Sequence, residues 1–120
     1  MSNKRFPAGL MATCCIPWDE NGRFAEHIFR LNVQHALQGT KFLYVFGTAG
    51  EGYAVTDRQY EEIVASFADE MRRGKAEPMV GVIDLSLGTI MDRIKRWENW
   101  WENWGHSTLV SCWRGWNSQF

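Results

Sequence analysis

The sequence predicts an α/β domain built from parallel βα repeats. Two observations carry this reading. Short runs of consecutive apolar residues, each bounded by Gly, Pro or polar residues, alternate along the 120-residue chain with longer stretches of helical periodicity. The order is strand, helix, strand, helix, strand, helix, strand, the pattern of right-handed βαβ units. Four such strands fit a small open sheet or the first half of a barrel, and periodicity alone leaves both open.

The expected strands are residues 9–15, 42–47, 78–84 and 107–112, read as strands covered on both faces because their apolar residues are successive rather than alternating. In the first expected helix, Phe24, Ile28, Leu31, His35 and Ala36 fall on one stripe, with Gly39 as its stop. In the second, Tyr60, Ile63, Val64, Phe67 and Met71 recur at three- and four-residue steps before Gly74. Thr56 is placed to cap that helix, with Gln59 three residues on in a capping-box arrangement. The third helix starts near Ser86 and carries Ile90, Ile94, Trp97, Trp101 and Trp104 before Gly105.

Composition narrows the class. Apolar residues make up 45% and charged residues 22% of the chain, the mix of a globular protein. Thirteen Lys and Arg against fourteen Asp and Glu leave a formal charge of −1, without the basic footprint of a nucleic-acid binder. The apolar runs fall far short of the ~20 residues of a membrane span, and residues 1–8 lack the apolar block of a signal peptide. The expectation is a single soluble, cytoplasmic domain with no nucleic-acid or membrane partner and no cofactor. Cys14, Cys15 and Cys112 are too few for a disulfide scaffold. The adjacent pair, pointing to opposite faces of a strand, is poorly placed to share a metal.

The residues that could carry chemistry cluster after the second strand, at the carboxyl end where parallel α/β proteins bind ligands. Gly47-Thr48-Ala49-Gly50-Glu51-Gly52 has three glycines in six residues, which permit close approach of the backbone to a ligand. Its N–H groups suit a carboxylate or phosphate, with the Thr48 hydroxyl beside them; a tight βα turn with no ligand is the plainer alternative. The loop is neither a dinucleotide fingerprint nor a Walker loop. Residues 47–57 contain no Lys or Arg, which places a general anion-binding module last among the readings. Asp84 ends the third strand as a possible ligand contact, and Glu51 suits a structural role. His27 and His35 are too far apart on the first helix to share a metal at i, i+4, and His106 is read as an ordinary loop residue.

Phe42-Leu43-Tyr44-Val45-Phe46 followed by Gly47-Thr48-Ala49-Gly50-Glu51 resembles the G-T-T-G-E signature of the dihydrodipicolinate synthase and N-acetylneuraminate lyase family. Residues 9–18 with Asp19-Glu20-Asn21-Gly22 are similar to that family's first strand, Pro-aromatic pair and acidic turn. Val55-Thr56-Asp57 and Pro78-Met79-Val80-Gly81-Val82 with Ser86 match further motifs, so that the resemblance runs over about residues 9–96. It implies a (β/α)8 TIM barrel and a lyase of the class I aldolase type, cleaving carbon–carbon or carbon–oxygen bonds, in which a lysine of the sixth strand forms a Schiff base with pyruvate or another 2-keto acid. It also implies that Thr48 belongs to a proton relay of hydroxyls between tyrosines. Gly47, Thr48, Ala49, Gly50 and Glu51 would bind substrate.

The chain departs from that pattern in three ways. Ala49 stands where the second threonine helps hold the substrate carboxylate, leaving only backbone N–H there, and Ile16 precedes Pro17 where the family usually has threonine. The lysines are Lys4, Lys41, Lys75 and Lys95, none of them expected at the carboxyl end of a strand. The expectation is an incomplete barrel domain over residues 1–120, about four strands and three helices, inactive alone because the lysine-bearing half is missing. The alternative is a non-catalytic half-barrel that forms a homo-oligomer or binds a full-length relative. From residue 97 the resemblance fades into a segment holding six of the seven tryptophans, with Trp97-Glu98-Asn99-Trp100 repeated as Trp101-Glu102-Asn103-Trp104. That repeat reads as a packing face, an altered reading frame or local duplication, or, last, an interfacial membrane helix.

Overall fold

The computed structural model describes residues 9–47, 52, 54–82 and 84–96, and residues 97–103 by their helical backbone. The element order is β1 (Met11–Cys14), α1 (Glu26–Ala36), β2 (Phe42–Val45), α2 (Asp57–Arg73), β3 (Glu77–Val80) and α3 (Leu87–Asn103). The three strands form a parallel sheet in the order β1-β2-β3. Met11, Phe42 and Glu77 share one register row, and Cys14, Val45 and Val80 another. This is the architecture of a partial (β/α)8 barrel. The expected fourth strand, residues 107–112, lies outside the described residues, as do Trp104 and the tail after it. Among the described residues, no helix is long and apolar enough to cross a membrane.

Each strand is shorter than its apolar run because the ladder covers only four rows. β2 ends where Phe46 turns at φ 63, a left-handed conformation uncommon for an aromatic residue. The expectation that both strand faces are covered is corrected. Ala12, Cys14, Leu43, Val45, Pro78 and Val80 face the helices and the core. Met11 and Thr13 on the other face are exposed, and Phe42, Tyr44 and Met79 beside them are only partly covered. An apolar residue at every position marks a strand that a closed barrel would bury on both sides; among the described residues no second wall covers the face opposite the helices.

α2 is the central helix of the layer, with Tyr60, Ile63, Val64, Phe67 and Met71 buried as their spacing predicts. Its capping box is present: Gln59 N–H donates to Thr56 Oγ1 at 3.2 Å, and Thr56 N–H donates to Gln59 Oε1 at 3.0 Å. The α1 stripe is corrected. Phe29 and Val33 are buried, whereas Ile28, Leu31 and His35 lie on an exposed flank. The cause is polar, because the α1 face carrying Glu26, Arg30 and Gln34 turns toward α2. There the Arg30 guanidinium meets Asp69 at 2.7 Å and Glu70 at 3.0 Å, and Gln34 donates to Glu70 at 3.1 Å. Gly39 is also not the residue that ends α1; the helix stops at Ala36, with Leu37 as its right-handed cap.

Candidate functional site

The carboxyl ends of the three strands converge, and the candidate site is built there from β2 outward. Of the six-residue loop, Gly47 and Gly52 are described, while Thr48, Ala49, Gly50 and Glu51 lie outside the described residues. A side chain at Gly47 would meet the Tyr44 ring at 2.6 Å. One at Gly81, just past β3, would meet the Phe46 carbonyl oxygen at 2.1 Å and the Tyr44 hydroxyl at 2.7 Å. These two glycines therefore make the space in which the Tyr44 phenol lies, on the sheet face without helices. Gly81 N–H also donates to Val45 O at 2.9 Å, carrying the β2–β3 pairing one step beyond the ladder. Partial burial raises the Tyr44 pKa above that of an ordinary phenol, so its hydroxyl remains a proton-bearing donor at neutral pH.

Behind the loop, Phe46 and Tyr60 stack with ring centroids 4.5 Å apart and an interplanar angle of 15°. The Tyr60 hydroxyl donates to Gly81 O at 2.5 Å in a buried position. The Arg93 guanidinium lies over the same ring, 4.5 Å from its centroid. Arg93 Nη1 donates to Gly52 O at 3.1 Å, and its Nη2 lies 3.6 Å from Asp57 and 3.9 Å from Asp84.

Arg93 is the residue that sequence reasoning passed over. No Lys or Arg falls between residues 47 and 57, yet a cation reaches Gly52 from α3, 41 residues away. The signal was available, since Arg93 interrupts the Ile90 and Ile94 stripe and a charge inside an apolar stripe needs a buried partner. Tyr44 reads from the sequence as a strand residue, and its alternation with Leu43 and Val45 puts it on the face away from the helices.

Asp84 Oδ1 accepts from Ser86 N–H at 2.9 Å, and Ser86 Oγ accepts from Thr89 N–H at 3.3 Å, so this aspartate shapes the start of α3. Lys41 precedes β2 at its amino end and donates to Gly74 O at 3.3 Å; Lys75 follows α2, and Lys95 is exposed on α3. Lys4 and His106 lie outside the described residues. His27 and His35 are exposed on α1. Cys14 is buried and Cys15 exposed, on opposite faces, and burial pushes the Cys14 thiol up to about 11.

No protein-family model matches the chain, and no curated protein matches it in sequence. Among solved structures, it is similar to CdNal from Clostridium difficile, determined in complex with mannosamine, at 20% identity and a TM-score of 0.65. The match covers 70% of this chain and 29% of that one, so the chain spans less than a third of the length of the protein it matches. This is a likeness of fold. It agrees with the parallel βα arrangement of β1, β2 and β3 as part of a barrel.

Proposed function

We propose that this chain forms the first portion of a lyase barrel of the class I aldolase type, and that its β2 loop supplies the carboxylate-binding end of a site for pyruvate or another 2-keto acid. The observation that supports the reading is the convergence of Gly47, Tyr44 and Gly81 at the carboxyl ends of two adjacent parallel strands, on the face that a complete barrel would enclose. Backbone N–H groups of the loop would hold the substrate carboxylate. Thr48 would take the proton-relay role that the resemblance assigns to it, and Ala49 would contribute no hydroxyl. A lysine outside this chain would attack the keto carbon, releasing water and leaving an iminium that accepts electrons as the neighbouring bond breaks.

The test is a chimera in which residues 9–96 replace the structurally equivalent segment of CdNal, incubated with pyruvate or 2-oxobutanoate and then reduced with borohydride. A covalent adduct found by mass spectrometry on a lysine of the CdNal portion supports the reading. A folded chimera that traps neither acid overturns it.

The open sheet face favours one further reading, in which the chain is non-catalytic and covers that face with a second copy of itself. Met11, Thr13, Phe42, Tyr44 and Met79 form an uncovered or half-covered, mostly apolar surface. Leu10, Ile28, Leu31, Leu85, Leu87 and Met91 are exposed as well, outside that face. Sedimentation of the chain at rising concentration separates a self-associating protein from a monomer.

A further inference from the structure

We propose that Arg93 is a positioning residue for the β2 loop, pinning the carbonyl of Gly52 so that this end of the loop stays against Phe46 at the carboxyl end of β2. The proposal rests on the reading above, in which that loop is the ligand-binding end.

Burial of the guanidinium comes first. Arg93 is only 5% exposed, and a buried cation is costly unless its charge and donors are met. Partners of its guanidinium come from three elements: Gly52 of the loop, Asp57 in the first turn of α2, and Asp84 after β3. Two carboxylates face one guanidinium, so its charge is already answered and little remains to attract a free anion. What the side chain offers is its planar fork, which donates to a carbonyl while lying on the Tyr60 ring.

The two ends of the loop also meet. A Cβ built on Gly52 would be 3.0 Å from the Phe46 Cβ and 3.2 Å from the Phe46 carbonyl oxygen. Phe46 starts the loop at positive φ and stacks on Tyr60; Gly52 ends it and is held by Arg93, which lies on that same ring. Non-glycine residues in the left-handed region are strained and persist where the surroundings over-determine them. The stack and the arginine together supply that determination.

Backbone amide exchange of the full chain, measured by NMR on wild type, Arg93→Met and Arg93→Lys, tests the proposal. In Arg93→Met, exchange at Gly47 and Gly52 is expected to rise about tenfold or more while Leu43, Val64 and Phe67 stay within about twofold. Arg93→Lys, which keeps charge but loses the fork, is expected to fall between. Unchanged loop exchange overturns the proposal, and so does equal acceleration at all five amides, which marks a general stability residue. A parallel pyruvate titration separates this from the functional reading. Loosened loop amides in Arg93→Met with no pyruvate-dependent shift in wild type keep the positioning role and remove the 2-keto acid. Equal pyruvate affinity in wild type and Arg93→Met overturns the positioning role.

Discussion

The Tyr60 hydroxyl reaches across from the first turn of α2 to the carbonyl of Gly81, at 2.5 Å and shielded from solvent. One side chain thus ties the central helix to the end of β3 while its ring carries Phe46 and Arg93. Tyr60→Phe keeps the ring and removes only the hydrogen bond. Leaving a buried carbonyl without its donor costs about 1–3 kcal/mol, and urea denaturation is expected to show a loss in that range. Tyr60→Leu removes the stacking surface as well and is expected to lose more. Equal stabilities for the two variants would show that the ring contributes nothing beyond its hydroxyl.

Gly81 makes a second prediction whose outcome is decided by which contact is tighter. An added methyl group meets the Phe46 carbonyl oxygen at 2.1 Å and the Tyr44 hydroxyl at 2.7 Å. The hydroxyl is removable, but the carbonyl belongs to the strand end and cannot move without disturbing the ladder. Gly81→Ala is therefore expected to lose about 3 kcal/mol or more, at the upper end of ordinary overpacking. The double variant Gly81→Ala/Tyr44→Phe is expected to recover almost none of it. Substantial recovery in thermal melts would place the strain on the phenol instead.

The sequence was readable where one force dominates a segment and silent where two segments meet. The α2 stripe was legible because five large apolar residues leave one choice of buried face, and its Thr56 and Gln59 cap is local. The buried face of α1 is not legible because its apolar residues point two ways, and the Arg30 contacts with Asp69 and Glu70 decide between them from 39 and 40 residues away. The same holds at the site. The glycines of the β2 loop announce themselves, whereas Arg93 shows locally only as a charge in an apolar stripe, and that its partner is Gly52 depends on how α3 packs.

The α1–α2 network predicts a strong asymmetry between single and paired changes. Glu70 is only 3% exposed and is held by Arg30 and Gln34. Arg30→Met leaves that carboxylate buried without its cation and is expected to cost about 3–5 kcal/mol. Adding Glu70→Met removes the stranded charge and is expected to restore a large part of the loss. Chemical denaturation of the four proteins closes the cycle, and additive losses would show that the two residues do not interact.

Asp69 gives the same interface a pH dependence. Hydrogen bonding from Arg30, helped by Arg72 and Arg73, holds its carboxyl below the usual carboxylate value. A depressed folded pKa means that the unfolded chain takes up the proton first. Its stabilising contribution is therefore complete above the unfolded value of about 4 and disappears as pH falls through the folded one. Thermal melts between pH 5 and pH 2 are expected to show a shallower fall in Asp69→Asn than in wild type. Parallel curves for the two proteins would remove Asp69 from the acid response.

Cys14 and Cys15 are adjacent in sequence and opposite in chemistry. Cys14 faces the core with its thiol pushed up to about 11 from 9.0, while Cys15 is exposed on the other side. A two-unit rise lowers the thiolate fraction near pH 8 by about 100-fold, and the thiolate is the species that alkylates. Brief iodoacetamide treatment of the folded chain, followed by peptide mapping, is therefore expected to modify Cys15 well before Cys14. In denaturant the two should react alike. Fast modification of Cys14 in the folded chain would mean that the sheet opens on the helix-covered side, and that the core formed by Cys14, Val45 and Val80 is not closed in solution.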